Sequence, residues 1–429
     1  MGSEGDAKPM QLTSAAVHNV PATESQPPLA HAPLPLPKAC VGGIQFDASR
    51  ESACYFASVE QHREMTARDV REPHCWGRGG NGSDALLLHT VTLTRLPNAT
   101  ALLLDSFLAT QCCDSVLWLW VTRGAYDTVA GVLLDADARG WRGSRRVVLR
   151  LLDIDAEFAS IREDFSDVSD ADAAAMQNFS DVRFRANWAR ILILYKYGGI
   201  YVDLDTVFLR DYRPLFALPG AFSYRAGNLH IINIAVLRLM QRPEERTRRL
   251  IGEAARRHKA AQSDLTDIIR PGVITMEYPI ISENVTTPRS RRGQSTPVRH
   301  LVKRRGPPRI IPQYITYAGL ALFDAVWFAF LGATFGGNVS NIQSQLTHEM
   351  AAAIAAHGPT FTLRRHWRAF FDPLPAPPPP EQMFFPGSFS YHWHNRYELG
   401  MPNGSWAAVL GRRFEAEARE KVRFCERLQ

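Results

Sequence analysis

The stretch of sequence that decides the fold is Asp181–Leu215, DVRFRANWARILILYKYGGIYVDLDTVFLRDYRPL. Large apolar residues between Trp188 and Tyr195 recur at positions i, i+3, i+4 and i+7, which predicts an amphipathic helix. Gly198 stands where the first left-handed residue after a helix is expected. Ile200–Val202 then has the β-branched and aromatic composition of a buried strand. The stretch therefore predicts a helix, a glycine turn and a strand in direct succession.

Two aspartates, Asp203 and Asp205, end that predicted strand. Side chains alternate across a strand, so residues two apart point to the same side. Two carboxylates held side by side repel each other, and hard oxygen ligands of this kind suit Mg²⁺ or Mn²⁺. Such an ion bridges the diphosphate of a nucleotide-sugar and neutralises the departing nucleoside diphosphate. A D-x-D by itself is usually two exposed aspartates in a turn, but its place after a helix, two glycines and a strand favours a metal site.

Strand and helix patterns alternate upstream of that stretch. Ala101–Thr110 has the pattern of a helix. Three apolar runs are predicted as strands: Ala85–Leu96, Ser115–Val121 and Arg146–Leu152. Strand–helix–strand alternation at this spacing favours an α/β layer fold with a largely parallel sheet.

Residues 181–215 closely resemble the sugar-binding D-x-D region of glycosyltransferase family 32, which includes α-1,4-galactosyltransferases, α-1,4-N-acetylglucosaminyltransferases and fungal mannosyltransferases. The matching residues of this core are Arg190, Leu194, Tyr195, Tyr197–Tyr201, Asp203 and Asp205. Flanking segments similar to the same family are Asp105–Gln111, Leu117–Trp120 and Ser390–Trp406. The resemblance implies a Rossmann-like nucleotide-sugar-binding sheet with flanking helices, the GT-A type of α/β fold, in a catalytic domain at residues 46–429.

The resemblance implies a role for each matched residue of the core. Asp203 and Asp205 would hold the metal ion and, through it, the diphosphate. Arg190 would reach the donor sugar or a phosphate as a fixed cation. Asn187 occupies a position where many family members have an aspartate that binds hydroxyls of the donor sugar. An asparagine still accepts and donates hydrogen bonds, but the departure leaves the identity of the donor sugar open.

Four further residues are expected at the nucleotide. His89 and Thr90 close the first strand, where the family contacts the nucleotide, and Tyr201 belongs to the matched core. The resemblance implies that Trp406 closes over the nucleotide. The alternative is that its side chain packs in the core at the start of a C-terminal helix.

Two histidines, His392 and His394, lie two residues apart in a predicted extended segment, so both face one way. The resemblance implies that one of them completes the metal or diphosphate site, and His392 is our first choice. Without the resemblance, a histidine in an aromatic loop is more often a packed side chain.

The reaction implied by the resemblance is sugar transfer with retention of anomeric configuration. The acceptor hydroxyl would attack on the face that the diphosphate leaves, and the departing phosphate takes the proton, so no residue is assigned as general base. The expected cofactor is Mn²⁺ or Mg²⁺. The expected partners are a nucleotide-sugar donor of the UDP-Gal, UDP-GlcNAc or GDP-Man class and a glycan or glycolipid acceptor.

Two other functions compete with this one. Tyr201–Val207 also fits the first motif of haloacid-dehalogenase-like phosphatases, in which Asp203 would be a nucleophile and Asp205 an acid/base. That fold needs a further acidic motif, which we do not find downstream. The second alternative is a non-catalytic, transferase-like protein that holds sugars or a partner without turnover. The presence of both aspartates, Arg190 and His392 argues against a protein that has lost its catalytic residues.

The charge of the chain is concentrated in one segment. The 429 residues include 49 Lys+Arg and 43 Asp+Glu, for a net charge of +6. Residues 286–312 contain no acidic residue and enough arginine and lysine to leave the rest of the chain slightly acidic. A basic run punctuated by prolines and free of aromatic residues is typical of a solvated loop. Nucleic-acid-binding motifs are absent, so no nucleic-acid partner is expected.

Signals for cellular location conflict. Residues 1–45 are proline-rich without an apolar run, which predicts a disordered tail rather than a signal peptide. Six N-x-S/T sequons favour the Golgi or ER lumen, where the six cysteines would pair. They are Asn81, Asn98, Asn178, Asn284, Asn338 and Asn403. Either the sequons are unused or an anchor is missing from this chain, and we expect membrane association through a missing or atypical anchor.

One apolar segment, Tyr314–Phe335, has the length of a membrane span. Its single charge, Asp324, lies near the middle, where it costs about 3 kcal/mol on insertion scales. Sequons also lie on both sides of the segment. A buried core helix or strand is therefore favoured over a span.

Overall fold

The computed structural model describes the parts of the chain that carry most of these predictions. The described residues are 36, 40–42, 47–71, 86–94, 100–135, 145–169, 182–226, 231–260, 316–324, 370, 383–393, 401 and 403–428. The basic segment 286–312, His394, most of the predicted N-terminal tail and five of the six sequons lie outside them.

Within the described residues the chain forms ten strands and eight α-helices. The strands are β1 (Val41–Gly42), β2 (Leu86–Thr92), β3 (Ser115–Thr122), β4 (Val147–Leu152), β5 (Ile200–Val202), β6 (Thr206–Phe208), β7 (Phe222–Ala226), β8 (Ile231–Arg238), β9 (Thr316–Ala318) and β10 (Ser390–His392). The helices are α1 (Ala48–Arg71), α2 (Thr100–Thr110), α3 (Arg123–Asp135), α4 (Ile154–Ala159), α5 (Val182–Tyr197), α6 (Arg213–Phe216), α7 (Glu245–Ala260) and α8 (Trp406–Leu428).

Eight strands form one sheet in the order β1-β9-β7-β8-β5-β2-β3-β4, and β10 pairs with β6 in a separate two-stranded sheet. Strands β5, β2, β3 and β4 are parallel neighbours, whereas β8 pairs antiparallel with both β5 and β7. The chain runs from β2 outward to β3 and β4, then returns to place β5 on the other side of β2. Such a reversal of strand order opens a crevice at the carboxyl ends of the strands, where ligands of α/β proteins bind.

Helices cover both faces of this sheet. Leu117 and Leu119 of β3 point into the core formed with α1, α2 and α8. The alternate residues of β3, Trp118 and Trp120, pack on the other face with α4, α5 and α7. This alternation is the pattern of a strand buried on both sides. The predicted α/β class, a largely parallel sheet flanked by helices, is confirmed, and the first strand is shorter than the predicted Ala85–Leu96.

The predicted helix, glycine turn and strand are α5, two glycines and β5. Gly198 has φ +70° and its N–H donates to Leu194 at 2.8 Å, as expected for a glycine that ends a helix. Gly199 has φ +82°, and a Cβ there would lie 2.4 Å from the carbonyl oxygen of Leu87 in β2. Glycine at both positions lets the chain reverse against β2 and enter the sheet beside it.

Four residues of the predicted N-terminal tail, 1–45, are described, and two of them lie in the sheet. Val41 and Gly42 pair with β9 at the edge of the sheet. A disulfide joins Cys40 to Cys54 of α1, and a second disulfide joins Cys113 to Cys425 of α8. A two-residue edge strand leaves almost no periodic signal in the sequence, so β1 was not predicted.

The apolar segment Tyr314–Phe335 is described only at residues 316–324. There it forms β9 and a 3₁₀ turn, Leu320–Leu322, whose side chains are buried in the core. Among the helices of the described residues, none combines the length and the apolar character that a membrane crossing requires.

Candidate active site

The D-x-D lies in the turn between β5 and β6, not within the strand as the sequence predicted. Asp203 N–H donates to the carbonyl of Ala235 at 2.8 Å, which extends the pairing of β5 with β8 by one residue. The carbonyl of Asp205 then accepts from Trp393 N–H at 3.1 Å, just past β10. Backbone hydrogen bonds on both sides therefore fix the turn at the carboxyl end of β5, in the crevice beside β2.

This turn meets His392 of β10. Strand β10 pairs with β6, with His392 opposite Thr206, so the ring arrives directly beside Asp205. His392 Nε2 lies 3.2 Å from Asp205 Oδ2, and those two side chains are 5% and 1% exposed. Asp203, Asp205 and His392 each offer one ligand atom, and these atoms all lie within 4.8 Å of one another. The structure thus brings together the two aspartates and the preferred histidine of the predicted site.

The electrostatics of the three residues fit a cation site. Burial raises the pKa of Asp203; Arg190 opposes the shift and Asp205 adds to it. Burial lowers the pKa of His392, but the carboxylates of Asp205 and Asp203 outweigh it, so the net shift is upward. The buried carboxylate of Asp205 and the partly exposed carboxylate of Asp203 therefore favour a cation between them. Carboxylate oxygens with one imidazole nitrogen are a donor set that suits Mn²⁺ or Mg²⁺.

Arg190 of α5 lies behind Asp203 and is itself buried. Its guanidinium donates to Asp203 Oδ1 at 2.5 Å and to the carbonyl of Ile234 at 2.6 Å. The guanidinium also lies over the ring of Tyr201, 4.2 Å from the ring centroid. Arg190 and Tyr201, both predicted to contact the donor, thus contact Asp203 and each other, and their contact with a donor stays a prediction.

The remaining predicted residues differ in burial and in whether their polar atoms already have partners within the protein. Asn187 is half-buried, one helical turn before Arg190 on the same face of α5. His89 uses both ring nitrogens inside the protein, since Nε2 lies 2.9 Å from the Gly198 carbonyl and Nδ1 accepts from Trp120 at 3.1 Å. Burial lowers the pKa of His89 to about 3, so the ring is neutral. In the structure, the His89 ring therefore connects β2 to the glycine turn through the Gly198 carbonyl.

Thr90 and Trp406 are buried at the predicted nucleotide positions. Thr90 Oγ1 and the indole N–H of Trp406 find no hydrogen-bond partner among the described residues. Trp406 packs against Phe384, with ring centroids 5.1 Å apart, at the start of α8. Buried polar atoms are nearly always paired, so two without a partner require an explanation. Their contact with a nucleotide stays a prediction, as does any role of His394.

The sequence analysis missed two residues beside His392. Tyr224 Oη lies 2.9 Å from His392 Nδ1, and Asn233 Nδ2 lies 3.4 Å from the same atom. A bulge between β7 and β8 places Tyr224 opposite Asn233, and bulges re-aim side chains in this way. The one sequence signal was Asn233 itself, a polar residue within the otherwise apolar run IINIAVL.

The region around this site matches a known family. Residues 110–218 match the family model described as "Glycosyltransferase sugar-binding region containing DXD motif". The matched range includes β3 and α5 together with the turn that holds Asp203 and Asp205. The predicted resemblance to a D-x-D glycosyltransferase region is confirmed for this part of the chain. No curated protein matches the chain.

Three solved structures are similar to part of the chain at low sequence identity. PaToxG glycosyltransferase is 12% identical, over 51% of this chain and 76% of that one, with a TM-score of 0.33. WbbM bifunctional glycosyltransferase is 11% identical, over 44% of this chain and 38% of that one, with a TM-score of 0.30. Mouse xyloside xylosyltransferase 1 is 14% identical, over 36% of this chain and 67% of that one, with a TM-score of 0.24.

Proposed function

We propose that this chain is a metal-dependent, retaining glycosyltransferase. It would transfer a sugar from a nucleotide-diphosphate sugar of the UDP-Gal, UDP-GlcNAc or GDP-Man class to a hydroxyl of a glycan or glycolipid. The observation that carries the proposal is the convergence of Asp203, Asp205 and His392 ligand atoms within 4.8 Å, inside a region matched by a D-x-D glycosyltransferase model. That match is also why we favour transfer over the phosphatase alternative.

In this proposal Asp203, Asp205 and His392 hold Mn²⁺ or Mg²⁺. When bound, the ion supplies positive charge that binds the donor diphosphate and stabilises it as the leaving group. Arg190 favours the ionised form of Asp203 and orients its carboxylate through a 2.5 Å contact. The negative charge of the two carboxylates would hold such a cation at the carboxyl end of β5.

The donor is proposed to lie along the crevice at the carboxyl end of β5. Asn187, half-buried on the same face of α5 as Arg190, is placed to offer an amide to hydroxyls of the sugar. Thr90 Oγ1 and the indole N–H of Trp406, buried without a partner among the described residues, would be satisfied by the nucleotide. The acceptor hydroxyl would lose its proton to the departing phosphate, so no residue is assigned as base.

A donor screen tests this function. UDP-Gal, UDP-GlcNAc, UDP-Glc and GDP-Man are added to the full chain with and without Mn²⁺, and thermal unfolding and donor hydrolysis are followed. One donor is expected to raise the melting temperature and to be hydrolysed only when Mn²⁺ is present, because a ligand that binds the folded state stabilises it. The proposal fails if every donor leaves both readouts unchanged, with and without the metal.

We further propose that the protein works in the Golgi or ER lumen and associates with a membrane. Support comes from the six sequons, of which Asn403 is exposed, and from the described cysteines, none of which is free. Disulfides persist in oxidising compartments. Expression in a eukaryotic host followed by glycosidase treatment is expected to shift the gel mobility, and an unchanged mobility would contradict a lumenal location.

A further inference from the structure

Tyr224 of β7 stands directly behind His392. Its side chain is buried, and its Oη lies 2.9 Å from His392 Nδ1. The other ring nitrogen, Nε2, lies 3.2 Å from Asp205 Oδ2. The imidazole therefore has a phenol beside Nδ1 and the D-x-D turn beside Nε2. Only Nε2 faces the carboxylates.

A histidine that binds a metal ion through Nε2 carries its proton on Nδ1, and the group that accepts from this N–H orients the ring. A tyrosine hydroxyl both donates and accepts. It can therefore donate to Nδ1 when that atom carries no proton and accept from it when it does. The hydroxyl of Tyr224 suits His392 in either state.

The second neighbour of Nδ1 lacks this versatility. Asn233 approaches Nδ1 with its amide nitrogen, Nδ2, at 3.4 Å, and that atom only donates. Its oxygen, Oδ1, already accepts from the backbone N–H of Ala235 at 2.8 Å, which fixes the orientation of the amide. Of these two neighbours, Tyr224 is the one that can accept a hydrogen bond from a protonated Nδ1.

The position of Tyr224 is itself well supported. Its ring stacks on Phe323, with centroids 5.1 Å apart and an angle of 29° between the planes. The backbone carbonyl of Phe323 accepts from His392 N–H at 3.3 Å. Phe323 thus contacts both the backbone of His392 and the ring of Tyr224. These two contacts fix the position of the Tyr224 ring relative to His392.

We propose that Tyr224 is a positioning residue that orients His392 and holds its proton on Nδ1, leaving Nε2 for a divalent cation. The proposal rests on the proposed function, in which Asp203, Asp205 and His392 bind that cation. Tyr224 is not one of the three proposed ligand residues. Its effect therefore reaches the site only through His392.

Calorimetric titration of the full chain with Mn²⁺ tests the proposal. Tyr224→Phe is expected to weaken Mn²⁺ binding about 10-fold or more, the usual effect of losing a hydrogen-bond partner of a histidine ligand. The matched control is Tyr317→Phe, a buried tyrosine of neighbouring β9 whose ring packs on the opposite face of the sheet. The control is expected to bind Mn²⁺ as wild type does, and both variants should melt at similar temperatures without metal.

The outcomes separate the two proposals when Asp205→Asn is titrated in parallel. If Asp205→Asn no longer binds Mn²⁺ and Tyr224→Phe binds as tightly as Tyr317→Phe, the role of Tyr224 is refuted and the metal site stands. If Asp205→Asn binds Mn²⁺ as wild type does, the metal site itself is refuted.

A spectroscopic measurement on the wild type needs no variant of Tyr224. The chain is labelled with ¹⁵N-histidine and loaded with diamagnetic Mg²⁺, and the His392 signals are assigned by their loss in His392→Ala. The nitrogen shifts are expected to report a proton on Nδ1 and none on Nε2. A proton on Nε2 in the loaded protein would overturn the proposal.

Discussion

Two arginine–carboxylate pairs lie against the same sheet and differ in their surroundings. Arg225 and Glu51, the sealed pair, are 2.8 Å apart and both side chains are 1% exposed. Arg190 and Asp203, the open pair, are 2.5 Å apart, and their side chains are 5% and 23% exposed. The sealed pair joins α1 to β7, and the open pair joins α5 to the D-x-D turn.

The carboxylates of the two pairs have different neighbours. Glu51 meets the arginine through one oxygen, and its other oxygen accepts from Ala321 N–H at 3.2 Å. Asp203 instead has the second carboxylate, Asp205, and the imidazole of His392 beside it. One arginine compensates one carboxylate in the sealed pair, whereas the open pair faces an additional negative charge.

This difference separates a structural contact from a ligand site. A fully buried charge pair holds two elements in place, and breaking it is costly. Two carboxylates close together raise each other's pKa and destabilise the protein until a cation joins them. The open pair therefore suits cation binding at the expense of stability, as is common at functional sites.

Asp205→Asn is expected to have the largest effect and tests the open pair. It should abolish sugar transfer and Mn²⁺ binding, and Asp203→Asn should abolish transfer as well. Without metal, the free energy of unfolding of Asp205→Asn should equal or exceed that of wild type, because one of two facing carboxylates is gone. Transfer assays, calorimetry and denaturant unfolding measure these outcomes.

A matched control for this substitution is Asp167→Asn. Asp167 is a surface carboxylate, 47% exposed, paired with Arg248 at 3.0 Å. The control is expected to keep full transfer activity, since exposed pairs contribute little to stability. Sugar transfer by a protein that carries both Asp203→Asn and Asp205→Asn would refute the assignment.

Arg225→Met is expected to have the next largest effect and tests the sealed pair. It leaves Glu51 buried without its arginine, so the free energy of unfolding should fall by about 3–5 kcal/mol. Adding Glu51→Gln should recover part of that loss, because the double variant buries no uncompensated charge. Mn²⁺ affinity should stay at the wild-type value. If the free energy of unfolding falls by less than about 1 kcal/mol, the sealed pair stabilises the protein no more than a surface ion pair does.

The smallest effect is expected for His392→Ala. Comparing it with His394→Ala tests which of the two histidines binds a metal ion beside the open pair. His392→Ala removes the imidazole 3.2 Å from Asp205 and should weaken Mn²⁺ binding at least about 10-fold. His394→Ala should leave Mn²⁺ binding unchanged. If calorimetry shows that only His394→Ala impairs Mn²⁺ binding, the preference for His392 is wrong.

The local part of the fold could be predicted because its signals lie within a few residues. Helix α5 has the apolar spacing of an amphipathic helix, and Gly198 supplies the left-handed conformation that ends it. Strand β5 follows from its composition. By contrast, Val41–Gly42 is too short to show a period, and the edge strand it forms went unpredicted.

The arrangement around the D-x-D was less predictable. Arg190 is predicted to reach the donor, and the return of β8 beside β5 also puts the Ile234 carbonyl and Asp203 within its reach. His89 is predicted at the nucleotide, and Trp120 and the Gly198 carbonyl meet its two nitrogens. In both cases the partners lie far along the chain, where spacing in the sequence carries no information about contact.

Sequence alone determined the helix, glycine turn and strand and the two aspartates that follow, because periodicity and capping are properties of neighbouring residues. The tertiary structure determined which groups surround those aspartates. His392 reaches Asp205 only because β10 pairs with β6, and Tyr224 reaches His392 only because β7 bulges against β8. Such contacts depend on the packing of segments more than 150 residues apart, which the burial of the whole core sets.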